Sequence, residues 1–288
     1  MFWQTTRFRI DLARPRVMGI VNVTPDSFSD GGRLGDAAAA LRHCEQLLAE
    51  GADILDIGGE SSRPGAAPVP LAEELARVLP VVQGALGFGV PLSVDTVKPE
   101  VMRRALELGA DIVNDIGALL APGALEAVAA FPCAGVCLMH MRGDPATMQQ
   151  RPAYDDVVAE VADFLAGRLQ VLRAAGVDDE RIVLDPGIGF GKTVEHNLEL
   201  LRRQPELLAL GRPLLLGWSR KSTLGAVTGR AVGERLAGSI AAALAAARQG
   251  AAILRVHDVA ATVDALKVWG AAGLLPVPES PATRGAIR

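Results

Sequence analysis

The chain has 288 residues, 50% of them hydrophobic and 22% charged, with a formal net charge of −4. That length supports a large core and falls within the range of a single α/β barrel. The mildly acidic balance, without a dense basic run, excludes a nucleic-acid footprint but not a small phosphate-bearing substrate, which needs only a few cations. Cys44, Cys133 and Cys137 lack ligand-like spacing and read as reduced thiols. The N-terminus alternates like a strand, and apolar runs such as 240–247 fall short of the roughly 20 residues that span a bilayer. A cytoplasmic protein with no membrane segment is expected.

In chain order, residues 1–15 read as a hairpin that caps a barrel. Eight strand-then-helix units follow. Strand 17–21 precedes helix 36–50, whose apolar face runs through Leu41, Cys44, Leu47 and Leu48. Strand 53–57 leads to helix 71–86, and strand 92–94 to helix 99–108, with Pro99 suited to the first turn. The middle units are 111–113 with 123–130 and 136–139 with 154–174. The last three are 182–184 with 194–203, 214–216 with 233–248, and 253–256 with 259–269. Gly51, Gly109 and Gly250 fall where a helix must stop and turn quickly into a strand. Repetition of this unit predicts one closed (β/α)8 barrel over 16–274, followed by an extended tail over 275–288 that holds three prolines. A doubly wound sheet would gather its ligand contacts at one switch point. Here polar residues end strands in at least six units.

Those strand ends carry the chemistry. Asp95, Asn114 and Asp185 each follow a short apolar run and can surround a flat heterocycle, meeting its N–H and amino donors. Asp115 points the other way from Asn114 and reads as a cap for the following turn. The glycine-rich loop 185–192 permits close approach of a ligand to backbone. Loop 58–65 offers Ser61, Ser62 and Arg63, hydroxyls and a guanidinium suited to phosphate. Lys221 and Ser222 stand at a short helix start, where an anion is favoured. Arg255 and His257, two apart on one strand, share a side and read as a diphosphate clamp.

The segments Met18-Gly-Ile-Val-Asn-Val-Thr-Pro-Asp-Ser-Phe-Ser-Asp-Gly-Gly32 and Asp56-Ile-Gly-Gly-Glu-Ser-Ser-Arg-Pro-Gly65, with 138–143, 185–192, 219–222 and 255–258, resemble the dihydropteroate synthase family in order and spacing. The resemblance spans 17–269. It implies a (β/α)8 enzyme of folate synthesis, commonly dimeric, Mg2+-dependent and a target of sulfonamides. Such an enzyme condenses 6-hydroxymethyl-7,8-dihydropterin diphosphate with 4-aminobenzoate. It further implies that Asp95, Asn114, Asp185 and Lys221 bind the pterin edge, with Met139 and Phe190 as walls and Arg255 stacked on the ring. Asn22, Arg63, Arg255 and His257 would hold diphosphate, Asn22 also helping to hold Mg2+. Ser222 would take the aminobenzoate carboxylate, with Thr24, Pro25, Phe28, Ser61, Ser62 and Pro64 completing that pocket. Ser62 stands where the family usually has threonine, which keeps the hydroxyl. The alternatives are a pterin-binding methyltransferase domain, which has no use for the diphosphate clamp, and a non-catalytic paralogue, which would be expected to lose the first two loops. The alanine-rich helix 233–248 is expected to face a partner subunit in a homodimer.

Overall fold

The computed structural model describes residues 1–23, 32–61, 63, 65–144, 147–150 and 152–275. The expected proline-rich tail therefore lies almost wholly outside the described residues. Strands β1 (Phe2–Gln4) and β2 (Arg9–Asp11) form an antiparallel hairpin. The remaining strands are β3 (Arg16–Asn22), β4 (Ile54–Gly58), β5 (Leu92–Asp95), β6 (Ile112–Asp115), β7 (Gly135–Met139), β8 (Ile182–Asp185), β9 (Leu214–Leu216) and β10 (Ala251–Val256). They close in sequence order, with β10 pairing β3, and every pairing is parallel. The helices between them are α1 (Gly32–Ala49), α2 (Leu71–Ala85), α3 (Pro99–Leu108), α4 (Ala124–Ala129), α5 (Val157–Ala174), α6 (Val194–Arg202), α7 (Gln204–Leu207), α8 (Ser222–Thr228), α9 (Leu236–Arg248) and α10 (Val259–Ala271). The predicted (β/α)8 barrel is the observed fold.

Two periodicities build it. Val17, Leu55, Val113, Val136, Leu184 and Leu254 join the apolar layer between strands and helices. Their neighbours Met18, Ile54, Ile112, Cys137, Val183 and Ile253 form a separate cluster, closed from below by Trp3 and Ile10 of the hairpin. Successive strand residues face opposite ways, so this second set is the barrel interior. Gly51, Gly109 and Gly250 adopt φ between 93° and 111°, the left-handed geometry that lets each helix stop at once. The seventh unit departs from the predicted pattern. A short helix, α8, precedes α9, and α9 begins at Leu236 rather than 233. Gly229, at φ 70°, ends α8, and the turn 232–234 separates the two.

Candidate active site

Following the interior positions two residues further along each strand reaches the polar end of the barrel. Asp56 follows Ile54, Asn114 follows Ile112, Asp185 follows Val183 and Arg255 follows Ile253. Register places Asn22 beside Gly58, Gly58 beside Asp95, and Asp95 beside Asn114 in one row across four strands. Met139 pairs with Asp185 in the same way on the far side. An apolar floor therefore carries a charged mouth at the carboxyl ends of the strands, the usual location for barrel active sites.

Arg255 organises one half of this mouth. Its Nε donates to Asp56 Oδ2 at 2.6 Å and its Nη2 to Asp95 Oδ2 at 2.7 Å. Asn114 Nδ2 also donates to Asp56 Oδ2, at 3.2 Å. Burial works against the guanidinium charge, but Asp56 and Asp95 outweigh it and raise the Arg255 pKa further. Asp95 moves to about 7, lifted by burial and by the neighbouring carboxylates against the pull of Arg255. Asp56 was absent from the predicted site residues, although it is the residue that fixes the plane of Arg255.

The glycine-rich loop after β8 forms the other half. Asp185 Oδ1 accepts the Gly187 N–H at 2.7 Å, so Asp185 caps its own turn despite the Pro-Gly that follows it. Burial lifts its pKa to about 6 against that hydrogen bond. Gly187 is at φ 71°, and a Cβ there would stand 1.9 Å from the His140 carbonyl oxygen. The loop wraps around Lys192, whose buried Nζ reaches the carbonyls of Gly187 and Phe190 at 3.0 Å and His140 Nδ1 at 2.9 Å. Burial, reinforced by Lys192, pulls the His140 pKa down to about 3, leaving a neutral ring whose Nδ1 accepts. Phe190 packs with Met139, Ile116 and Met148. Lys221 Nζ lies 4.1 Å from the Phe190 ring centroid, and burial lowers its pKa to about 8 against the pull of Asp185.

Asn22, Ser61, Arg63, Ser222 and His257 are distributed around the remaining rim. Lys98 pairs with Glu60 and with the buried Glu74, anchoring the root of the loop that carries Ser61 and Arg63. Arg63 is exposed, and its charge helps to lower the pKa values of both Lys221 and His257. His257 lies 3.0 Å from Ser219 Oγ through Nδ1, and burial, then Arg220 and Arg255, bring its pKa to about 3. It is therefore a neutral ring rather than a second cation. Ser222 opens α8 and is exposed. Asp115 caps as expected, accepting from the N–H groups of Gly117 and Leu119. Trp218, a neighbour of the anion loop in sequence, is buried in the layer between strands and helices. Thr24, Pro25, Phe28, Ser62 and Pro64 lie outside the described residues.

The expected Mg2+ site at Asn22 is corrected. Among the described residues, no group of three or more His, Cys, Asp or Glu side chains is gathered that could hold a metal ion. The mouth carboxylates Asp56 and Asp95 are instead engaged by the Arg255 guanidinium. Among the described residues, no helix is long and apolar enough to cross a membrane.

A barrel mouth lined with acceptors, Lys221 and a fixed guanidinium is suited to a flat, donor-rich heterocycle. The model of the pterin binding enzymes matches residues 18–257, which sets the class. Dihydropteroate synthase of Neisseria meningitidis serogroup B is 56% identical over 278 residues, covering 94% of this chain and 98% of that protein. Among solved structures, Xanthomonas albilineans dihydropteroate synthase with 4-aminobenzoic acid superposes with a TM-score of 0.87 at 55% identity, covering 93% of this chain and 96% of that one. Burkholderia cenocepacia dihydropteroate synthase complexed with 7,8-dihydropteroate gives 0.87 at 54% identity, covering 94% and 96%. The chain belongs to the dihydropteroate synthase family.

Proposed function

We infer that this chain is a transferase that condenses 6-hydroxymethyl-7,8-dihydropterin diphosphate with 4-aminobenzoate, giving 7,8-dihydropteroate and diphosphate. The observation that carries this reading is the ring of acceptors at one mouth: Asp95 and Asn114 adjacent in register, and Asp185 at the end of β8. A pterin edge presents N–H and amino donors, and buried polar groups require partners. We assign Asp95, Asn114 and Asp185 to that edge and Lys221 to its carbonyl or ring nitrogen. Met139 and Phe190 supply the apolar walls. Arg255, held flat by Asp56 and Asp95, stacks on the ring.

The reacting carbon is a CH2 attached to an electron-rich ring. Its C–O bond breaks with the electron pair leaving on diphosphate, and the ring spreads the positive charge. The protein's task is electrostatic: to stabilise the departing anion and the developing cation. Asn22, Arg63 and Arg255 are assigned to the diphosphate, with neutral His257 donating an N–H. The neutral aniline nitrogen then attacks the CH2 with its lone pair and loses a proton to diphosphate or water, so no general base is needed. Ser222 is assigned to the aminobenzoate carboxylate. Ser61 and, from the flanking loops, Thr24, Pro25, Phe28, Ser62 and Pro64 are assigned to the rest of that pocket.

The test is diphosphate release measured with each substrate alone and with both, the organic product being identified by mass. Formation of dihydropteroate that requires both substrates, with diphosphate released alongside it, is expected. Methyl transfer from methyltetrahydrofolate, or no turnover by folded protein, would overturn the assignment. We also propose a cytoplasmic homodimer. Val227, Val232, Leu236, Val268 and Leu274 are exposed on or beside α8, α9 and α10, and exposed apolar patches mark association surfaces. A monomeric mass by light scattering at micromolar concentration would contradict the dimer.

A further inference from the structure

Asn197 lies in the first turns of α6 and is 1% exposed. Asparagine is a poor helix former, and a buried amide is costly unless its groups are all met. Here they are met by three partners on two pieces of chain. Its Oδ1 accepts the Gly189 N–H at 2.8 Å. Its Nδ2 donates to the Thr193 carbonyl at 2.8 Å and to Thr223 Oγ1 at 2.9 Å.

The two outer partners stand next to the two halves of the site. Gly189 precedes Phe190, whose ring faces Lys221. It is at φ 81°, and a Cβ there would stand 3.1 Å from the Lys221 side chain. Thr223, also buried, follows Ser222. One amide therefore ties the loop after β8 to the first turn of α8.

We propose that Asn197, acting with Thr223, is a positioning residue that couples the two substrate subsites. This rests on the reading that the Phe190 loop holds the pterin and Ser222 the aminobenzoate carboxylate. A pterin that orders the β8 loop fixes Gly189, and through Asn197 and Thr223 it fixes Ser222. Coupling of this kind is reciprocal, so each ligand tightens the other by the same factor. A residue serving only as glue would lower both affinities, or stability, and leave that factor unchanged.

The experiment measures 4-aminobenzoate affinity by calorimetry, with and without a saturating, fully oxidised pterin analogue that cannot react. In the unmodified enzyme the analogue is expected to tighten 4-aminobenzoate binding. Thr223→Val, nearly isosteric, should cut that ratio about fivefold or more, with the analogue's own affinity within about twofold. Thr223→Ser should restore it, and Asn197→Ala should bring the ratio close to one. A ratio unchanged in Thr223→Val, or absent from the unmodified enzyme, overturns the proposal, and Thr223→Val decides alone if Asn197→Ala does not fold. Ser222→Ala separates the two levels of inference. If it weakens 4-aminobenzoate while Thr223→Val keeps the ratio, only the coupling fails. If it leaves 4-aminobenzoate affinity intact, the subsite reading fails and the coupling with it.

Discussion

At the amino-terminal end of the barrel, Trp3 fills the interior against Met18, Ile54 and Ile253, and its Nε1 donates to the Arg181 carbonyl at 2.8 Å. The acid there, Asp111, is surrounded by donors: Arg7 through both backbone and guanidinium, and the Leu92 N–H. At the carboxyl end, the same inward alternation carries Asp56, Asp95, Asp185 and Arg255, and Lys221 joins them from the segment between β9 and α8. Burial there lifts Asp95 and Asp185 and lowers Lys221. Both ends hold buried charge. At the bottom, each group is met by the protein itself, whereas at the mouth acceptors are packed together with fewer partners. Concentrated titration shifts of that kind mark working sites. The bottom stabilises the fold and the mouth stores the electrostatics that a substrate completes.

This division gives paired tests. Trp3→Ala should remove about 3–5 kcal/mol of stability, as for other large aromatic truncations in a packed core. It should shift the denaturation midpoint while leaving the Michaelis constants of the folded enzyme within about twofold. A raised pterin Michaelis constant without lost stability would mean that the bottom is part of the site.

Asp185→Asn tests the opposite end. It keeps the shape and the cap to Gly187 but exchanges a charged acceptor for a neutral amide. Losing a hydrogen bond to a charged group is worth about 1.5–3 kcal/mol, so pterin affinity should fall about 10- to 150-fold. The melting temperature should change little. Calorimetry with a pterin analogue measures the first and thermal unfolding the second. Unchanged affinity would remove Asp185 from the pterin edge.

The same contrast accounts for what the sequence made legible. Strands were readable because apolar runs of three to five residues alternate with helices that end at Gly51, Gly109 or Gly250. Asp95, Asn114 and Asp185 stood out because each terminates such a run. Asp56 did not, since it sits inside Ile54–Gly58 and its partner Arg255 is 199 residues away. Lys192 and Asn197 carried no assigned role, because only the folded loop shows the carbonyls and hydroxyl that surround them. The short helix start at Lys221 and Ser222 was legible but the extent of α8 was not, because a seven-residue segment containing Gly225 has no strong period of its own. Mg2+ came from resemblance rather than from a ligand pattern, and the described side chains do not gather one.

A pH titration narrows the comparison to the mouth. On the proposed assignment Asp95 and Asp185 accept pterin donors as carboxylates, forms that prevail above about 7 and about 6. Affinity for a pterin analogue should therefore rise with pH from 5 to 8, falling about tenfold per unit on the acid side for each proton that must be lost. Asp95→Asn should remove the step near 7 and keep the lower one. A profile flat from pH 5 to 8 would show that neither carboxylate titrates in the free site.

The smallest effect concerns strain placed beside the mouth. Ala118 and Leu119 have φ of 52° and 56°, a region disfavoured for residues with a Cβ. Asp115 holds this turn through the N–H groups of Gly117 and Leu119, and Arg168 through the Ala118 and Leu119 carbonyls. The turn follows Ile116, which packs on Met139 and Phe190. Ala118→Gly should relieve about 1 kcal/mol of left-handed strain. Glycine's greater unfolded freedom offsets about half of that, leaving a net stabilisation of about 0.5 kcal/mol. A looser turn should also let Ile116 shift and raise the pterin Michaelis constant by about twofold, following the trade between rigidity of a site and stability of a fold. Denaturant unfolding and steady-state kinetics on the one variant read both quantities. A loss of stability greater than about 1 kcal/mol would show that the alanine methyl contributes more through packing than its backbone costs.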